Sequence, residues 1–176
     1  MGKKLKKPQT ILVLFDVPFQ IDENFDSKSC LTHKDWRDER DVVRALRKLH
    51  YDVHTLALYN NIQTLIDKIN SLKPDITFVL AECFNNDRNL TPNIVATLDL
   101  LNIKYTGPSA HSLTICKDKA MSKKILNYEG IRTPNFVVST HGKLPAGVSE
   151  LDFPVITKQL SLEGSEGISL KSINHN

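Results

Sequence analysis

Short apolar runs and amphipathic segments alternate along the N-terminal part of the chain. Thr10–Asp16 is apolar between its two end residues, which is typical of a strand buried on both faces of a parallel sheet. Residues 17–34 show no period and predict a long loop. Val42, Leu46 and Leu49 then recur at helical spacing. The pattern predicts a central strand, a long loop and an amphipathic helix, in that order.

The same alternation continues to about residue 109. We predict a second strand over Val53–Leu58, a helix with Ile62, Leu65, Ile66, Ile69 and Leu72 on one face that Pro74 ends, and a third strand over Ile76–Ala81. We then predict a helix with Thr91 as N-cap, Pro92 in its first turn and Ile94, Val95, Leu98 and Leu101 on one side, and a short fourth strand over Ile103–Thr106. Strands that alternate with helices in this way indicate an α/β fold with a doubly wound, Rossmann-like parallel sheet.

The pattern changes after Gly107. We predict a helix over Lys117–Tyr128 with Met121, Ile125 and Tyr128 on one face and Gly130 after its end, and strands over Asn135–Ser139, Phe153–Gln159 and Gly167–Lys171. Consecutive strands indicate an antiparallel hairpin and an α+β unit. We therefore predict two domains, residues 9–110 and residues 111–176. Because about 60 residues bury little core, we expect the second to be an incomplete part of a larger domain.

Composition and charge narrow the class of protein. The 176 residues are 40% hydrophobic and 24% charged, which is typical of a globular chain. The net charge is +3, but four lysines lie within residues 3–7, and without them the charge is −1. A basic nucleic-acid-binding body is therefore disfavoured. Ile11–Phe15 is too short for a membrane span or a signal peptide, so we expect a cytoplasmic protein with neither a nucleic-acid nor a membrane partner.

The cysteines and histidines indicate no metal site. Cys30, Cys83 and Cys116 are odd in number and far apart, which disfavours a disulfide framework or a zinc knuckle. We interpret Cys83 and Cys116 as small buried residues rather than nucleophiles. His50 and His54 are separated by a predicted turn, so they do not share a helical face. Neither a G-x-G-x-x-G nor a Walker-type phosphate loop is present in the sequence.

One stretch, residues 153–169, combines features of a phosphate site. Its predicted strand ends on Lys158, and the turn that follows contains Gly164, Ser165 and Gly167. An ammonium group beside a turn with backbone N–H and hydroxyl donors can bind phosphate. The same residues also fit an ordinary β-hairpin with a solvated lysine, and the residues alone favour that simpler interpretation.

A second candidate is Lys119, which lies in the opening turns of the helix predicted over Lys117–Tyr128. The helix dipole disfavours a cation there unless an anion is nearby, which points to an anionic ligand. Alternatively, Asp118 and Glu129 could pair with neighbouring lysines, and lysine-rich helix faces are often only solvated.

In order and spacing, four stretches resemble the ATP-grasp superfamily, specifically its D-alanine–D-alanine ligase-like branch. They are Lys73–Glu82, Leu101–Gly107, Asp118-Lys119 with Lys123 and Gly130–Pro134, and Phe153–Lys158 continued by Ser165–Ser169. The resemblance covers roughly residues 73–170. It implies a preATP-grasp α/β domain over residues 9–110 and the first part of the ATP-binding domain over residues 111–176.

The resemblance also implies a reaction and a set of site residues. Such ligases use ATP and Mg²⁺ to phosphorylate a carboxylate, and an amine then attacks the acyl phosphate to form a C–N bond. Lys119 and Lys158 would contact the nucleotide phosphates, whereas Ser165 and Gly167 would lie in the loop that closes over the γ-phosphate. The partners implied are a small carboxylate and a small amine, and a homodimer is one arrangement that the resemblance allows.

The sequence departs from the family pattern at three places. Gln159 stands where the family usually has proline. The family has a glycine-rich loop that carries a substrate-binding glutamate, and this chain has Asp16-Val-Pro-Phe-Gln in its place. The C-terminal half of the ATP-grasp module, which carries the Mg²⁺ ligands, does not occur within these 176 residues. We therefore expect the parent protein to be a ligase and this stretch alone to be inactive, with no metal ligand of its own. The alternative is a non-catalytic module that binds a small molecule or a partner.

Overall fold

The computed structural model describes residues 9–22, 24–140, 142–143, 145–162 and 164–175. The lysine-rich residues 3–7 and Glu163, within the candidate phosphate-binding stretch, lie outside the described residues. The chain divides into two compact units whose boundary falls between Ala110 and His111.

The first unit is built around a parallel three-stranded sheet. Its elements are β1 (Thr10–Asp16), α1 (Arg37–Lys48), β2 (Asp52–Leu58), α2 (Ile62–Leu72), β3 (Ile76–Val79) and α3 (Thr91–Leu100). The strand order is β2-β1-β3, and both pairings are parallel. The predicted Rossmann-like α/β arrangement, with the first strand at its centre, is therefore confirmed.

Strand β1 supplies side chains to a core on each face of the sheet. Val13 and Phe15 are fully buried in a cluster that includes Val43 of α1. Leu12 and Leu14 point to the opposite face, where they join a second cluster with these residues of β2, α2, α3 and the segment after β3: Leu58, Leu65, Ile69, Ala81, Ile94 and Leu98. Because successive strand residues face opposite ways, a continuous apolar run is what a strand between two helical layers requires.

The loop between β1 and α1 is packed in its second half. The buried hydroxyls of Ser27 and Thr55 are hydrogen-bonded at 2.7 Å. A 3₁₀ turn over Cys30–Thr32 follows, in which Cys30 and Leu31 are buried. The segment just before α1 therefore has a fixed position against β2 and the core.

The predicted fourth strand over Ile103–Thr106 is reduced to a single parallel bridge, in which Tyr105 is paired with Thr77 of β3. Two backbone hydrogen bonds make this pairing, from Thr77 N to Lys104 O at 2.8 Å and from Thr106 N to Thr77 O at 3.0 Å. Asn102 and Gly107 on either side have φ angles of 54° and 101°. These left-handed residues turn the chain before and after the segment.

Two local predictions in the first unit need correction. Leu90, not Thr91, is the N-cap of α3, and the Thr91 hydroxyl donates instead to Arg88 O at 2.8 Å. On α1, Leu46 packs against the core as predicted, but Val43 is the buried residue, and Leu49 lies beyond the helix end and is 56% exposed.

The second unit contains two helices and a small antiparallel sheet. Its elements are α4 (Ala110–Lys117, which starts at the boundary), α5 (Lys119–Tyr128), β4 (Val155–Ile156) and β5 (Ile173–Asn174). The helix predicted over Lys117–Tyr128 is interrupted at Asp118, whose carboxylate accepts from the amides of Ala120 and Met121 and so begins a new helix. Gly130, at φ 73°, follows the end of α5 as predicted.

The predicted antiparallel hairpin is confirmed, but its strands are shorter and the return strand is shifted. The pairing joins β4 to β5, not to Gly167–Lys171. Ser169 accepts from Lys171 N and begins a 3₁₀ turn over Leu170–Ser172, which delays the return strand.

The strand predicted over Asn135–Ser139 is wrong. Those residues form no ladder with any described strand. Side-chain contacts from α5 hold the segment instead, because the Lys123 ammonium donates to Pro134 O at 3.2 Å and lies 4.9 Å from the centre of the Phe136 ring.

Candidate nucleotide-binding site

Lys119, the first residue of α5, contacts the loop that follows β4. Its ammonium group donates to Leu160 O at 3.2 Å and to Leu162 O, and its backbone amide donates to Leu160 O at 3.3 Å. The Asp118 cap fixes the helix start and thereby the position of this lysine. Lys119 thus joins the N-terminus of α5 to the segment after Lys158.

These carbonyl contacts bear on the charge of the site. A cation at a helix N-terminus is disfavoured by the dipole, and the sequence alone suggested that an anionic ligand offsets this. In the structure, two carbonyl oxygens already face the Lys119 ammonium. The placement of Lys119 therefore does not by itself require a ligand, although an ammonium carries three donors and can contact an anion as well.

Lys158 lies two residues beyond β4, and its side chain is exposed. The residue before it is tightly held, because Thr157 N donates to Ser172 O at 2.8 Å and Asn174 Nδ2 donates to the Thr157 hydroxyl at 3.0 Å. The end of the sheet therefore presents the ammonium of Lys158 from an anchored backbone. The strand was predicted to end on Lys158, whereas in the structure β4 ends two residues earlier, at Ile156.

Ser165 and Gly167 lie in an exposed turn over residues 164–167. Ser165 and Gly167 have φ angles of 64° and 72°, and Ser165 O accepts from Ile168 N at 3.1 Å. A Cβ added to Gly167 would lie 3.5 Å from Gln159 Cγ, so the turn folds back onto the residue after Lys158. A left-handed turn directs backbone N–H groups into one concave surface, which suits an anion.

The segment over residues 158–162 begins with the predicted site residue Lys158. Two further predicted site residues, Lys119 and Gly167, lie against this segment. The contact of Lys119 is with Leu160 and Leu162, and that of Gly167 is with Gln159. Ser165 shares the turn of Gly167, and the structure shows no contact between its side chain and either lysine among the described residues. Two ammonium groups and a turn with amide and hydroxyl donors therefore lie on or beside this segment, and groups of these types can bind and neutralise phosphate.

A separate group of polar residues, which sequence analysis missed, lies at the carboxyl end of the sheet in the first unit. Asp16 ends β1, and its carboxylate accepts from Glu82 N at 2.7 Å, while Arg88 pairs with the Glu82 carboxylate at 2.8 Å. Burial raises the pKa of the Glu39 carboxyl above its ordinary value, and the charges of Asp38, Asp16 and Glu82 add to this rise. Ligands of open α/β sheets bind at this end, and an acidic residue directly after a buried strand was the available signal.

An aromatic cluster occupies the loop after β1, where the resembled family has glycines. The ring of Phe19 lies edge-on to those of Phe25 and Trp36, with centroids 5.9 and 6.1 Å apart. Trp36 Nε1 donates to Asp16 O at 3.4 Å. This loop therefore gives no basis for transferring the substrate of any dipeptide-forming ligase.

The cysteines and potential metal ligands are distributed as follows. Cys116 on α4 is exposed, so its interpretation as a buried residue is wrong, because it lies on an outer helix face. Cys83 is half-buried, and Cys30 is buried with a raised thiol pKa caused by that burial. Within the described ranges, no three His, Cys, Asp or Glu side chains are placed to hold a metal ion.

Comparison with known proteins identifies the class to which this arrangement is similar. The chain is 32% identical over 133 residues to D-alanine–D-alanine ligase A of Bacillus cereus, an alignment that covers 74% of this chain and 42% of the relative. It is 38% identical over 128 residues to the D-alanine–D-alanine ligase of Paracidovorax citrulli, covering 70% of this chain and 35% of the relative. No family model matches the chain.

Solved structures give the same result. The crystal structure of D-alanine–D-alanine ligase from Bacillus anthracis superposes with a TM-score of 0.69 at 25% identity, over 96% of this chain and 50% of that one. The same enzyme complexed with ATP superposes with a TM-score of 0.61 at 25% identity, over 86% of this chain and 45% of that one.

The chain is thus an α/β protein of the ATP-grasp kind. Within that class it is D-alanine–D-alanine ligase-like, and it corresponds to an N-terminal portion of such a ligase. The resemblance inferred from the sequence is confirmed. The chain spans 42% and 41% of the length of the first curated relatives that it matches. Among the described residues, no helix has the length and apolar character that crossing a membrane requires.

Proposed function

We propose that this chain is the N-terminal portion of an ATP-dependent carboxylate–amine ligase and that it binds the phosphates of ATP. The observation that carries the proposal is the similarity to D-alanine–D-alanine ligases over 74% of the chain, one of which has a solved ATP complex. In this proposal, residues 9–110 form the preATP-grasp domain and residues 111–176 the first part of the ATP-binding domain. The parent protein is a cytoplasmic ligase that joins a small carboxylate to a small amine, and a homodimer stays a prediction.

The chemistry of the second unit supports this role. Phosphoryl transfer depends mainly on positioning and on neutralising charge, and ammonium groups and backbone donors provide both. Lys158, two residues beyond the end of β4, contacts the α- and β-phosphates in this proposal. Lys119 approaches from α5, and the turn with Ser165 and Gly167 covers the γ-phosphate. The carboxylate that accepts the phosphoryl group then becomes an acyl phosphate, which the amine attacks with release of phosphate.

In this proposal Mg²⁺ would be bound mainly by the ATP phosphates and by one or two carboxylates. Among the described residues no three His, Cys, Asp or Glu side chains are grouped as metal ligands. We assign no residue of this chain to Mg²⁺ and derive no step through it.

The affinities of AMP, ADP and ATP for this chain test the proposal. Each additional phosphate gains charge-assisted contacts worth about 1.5–3 kcal/mol, so we expect about a 10-fold or greater gain in affinity at each step. Calorimetric titration of the 176-residue chain measures the three dissociation constants.

Two results would count against the proposal. Equal affinities for AMP and ATP would show that the phosphates are not recognised. Absence of binding by all three nucleotides would favour the non-catalytic module, in which Lys119 only fastens α5 to the loop through its carbonyl contacts.

A further inference from the structure

A basic groove lies in the first unit, between the loop before α1 and one face of α1. Its charged lining consists of Lys28 from the loop and Arg40, Arg44 and Arg47 from the helix. The groove is open to solvent and has a volume of about 210 Å³, and no acidic side chain among the described residues lines it. Four cations therefore surround one concave surface.

The sequence builds this groove from two fixed walls. Arg40, Arg44 and Arg47 are spaced i, i+4 and i+7, so they share one face of α1 with Val43, which is 2% exposed and anchors that face to the core. The opposite wall contains Leu31, buried in the 3₁₀ turn that precedes the helix. Because both walls are already in place before a ligand binds, the entropic cost of binding is lower.

The charges in the groove are poorly compensated. Arg40 Nε is buried and has no hydrogen-bond partner among the described residues. Its nearest carboxylate, Asp41, lies 3.8 Å away, and the same carboxylate lies 3.9 Å from both Arg37 and Arg44. The single carboxylate of Asp41 is thus shared by three guanidinium groups. Buried polar groups in proteins are almost always hydrogen-bonded, so the unsatisfied Arg40 Nε marks this group of cations as poorly compensated.

We propose that this groove binds a small phosphorylated anion with one or two phosphate groups. Guanidinium groups match the oxygens of phosphate in bidentate geometry, and Thr32, which also lines the groove, adds a neutral hydroxyl donor. The groove is smaller than pockets for drug-sized molecules, which measure roughly 300–1,000 Å³, and this favours a small ligand. The groove contains none of Lys119, Lys158, Ser165 or Gly167, so this proposal can be tested independently of the proposed function.

Titration with inorganic pyrophosphate, followed by backbone amide NMR shifts, tests the site. We expect saturable shifts at residues 28–32 and 40–47. Arg44→Gln should weaken the binding measured there by about 10-fold, the effect of one charge-assisted contact. Arg44 is 71% exposed at its side chain, so its replacement should leave the fold intact, which the thermal unfolding midpoint verifies.

Arg37→Gln is the matched control. Arg37 lies on the same helix and pairs with the same Asp41 at 3.9 Å, but it does not line the groove. It should leave the pyrophosphate affinity unchanged. Lys158→Met should also leave the shifts at residues 28–32 unchanged, which separates this site from the proposed nucleotide site.

Three outcomes would overturn the proposal. Shifts that grow linearly without saturation would indicate a general ionic effect. Equal weakening by Arg37→Gln and Arg44→Gln would assign the effect to the charge of the whole helix. A short DNA duplex that binds more tightly than pyrophosphate and loses affinity in Arg44→Gln would replace the small anion with a nucleic acid.

Discussion

Replacing Leu14 with alanine is expected to lower the free energy of unfolding of the first unit by about 2–5 kcal/mol. Leu14 lies in the central strand β1 and is fully buried, in the cluster with Leu65, Ile94 and Leu98. The truncation removes apolar surface and leaves a cavity that two helices and two neighbouring strands cannot fill without moving. Urea unfolding followed by far-ultraviolet circular dichroism measures the loss.

Leu100→Ala is the control for this variant. Leu100 lies on α3 of the same unit but is 87% exposed, so its replacement should change the free energy by less than about 0.5 kcal/mol. If Leu14→Ala cost no more than Leu100→Ala, the first strand would not be the buried centre of the sheet.

Replacing Lys119 with methionine is expected to weaken ATP binding by about 10- to 150-fold, because one charge-assisted contact to phosphate is worth about 1.5–3 kcal/mol. A second effect follows from the carbonyl contacts to Leu160 and Leu162. Their loss should destabilise the second unit by about 1 kcal/mol, since the ammonium is partly exposed and solvent weakens such bonds. Calorimetry measures the affinity, and hydrogen exchange at residues 160–162 measures the local stability.

Lys124→Met is the matched control, because Lys124 is an exposed residue of the same helix. It should change neither quantity. Faster exchange in Lys119→Met with unchanged ATP affinity would assign Lys119 a purely structural role and remove it from the phosphate site.

The fold of the first unit could be predicted because its pattern is carried by long elements. The run in Thr10–Asp16 and the helical spacing in Ile62–Leu72 each extend over several residues, and each lies at its predicted place. The bridge at Tyr105 could not be predicted from apolar content alone. It depends on how far the left-handed residues Asn102 and Gly107 allow the segment to follow β3.

The second unit was harder to predict because its strands have only two residues each. A strand as short as Val155–Ile156 has no period to detect, and its partner is chosen by contacts 17 or more residues away. The Ser169 cap moved the return strand beyond Lys171. The helix break at Asp118 did have a sequence signal, because aspartate is a preferred N-cap, and a helix that starts at Lys119 was the better interpretation.

The sequence was sufficient to select the candidate site residues, but it did not predict which atoms those residues contact. Lys119 and Leu162 are 43 residues apart, and no local pattern predicts that an ammonium group donates to that carbonyl. The same holds for Gly167 beside Gln159, which depends on how the turn over residues 164–167 folds back.

Calorimetric titration of ATP into the wild-type chain, Lys158→Met and Lys171→Met tests the central claim, that the second unit binds nucleotide phosphate. Methionine keeps much of the packing volume of the lysine stem and removes only the charge. Lys158→Met should weaken ATP binding by about 10- to 150-fold. Lys171→Met should leave the ATP affinity almost unchanged, because Lys171 is an exposed lysine beyond the turn. Equal affinities for all three proteins would show that Lys158 is a solvated surface residue and would contradict the claim.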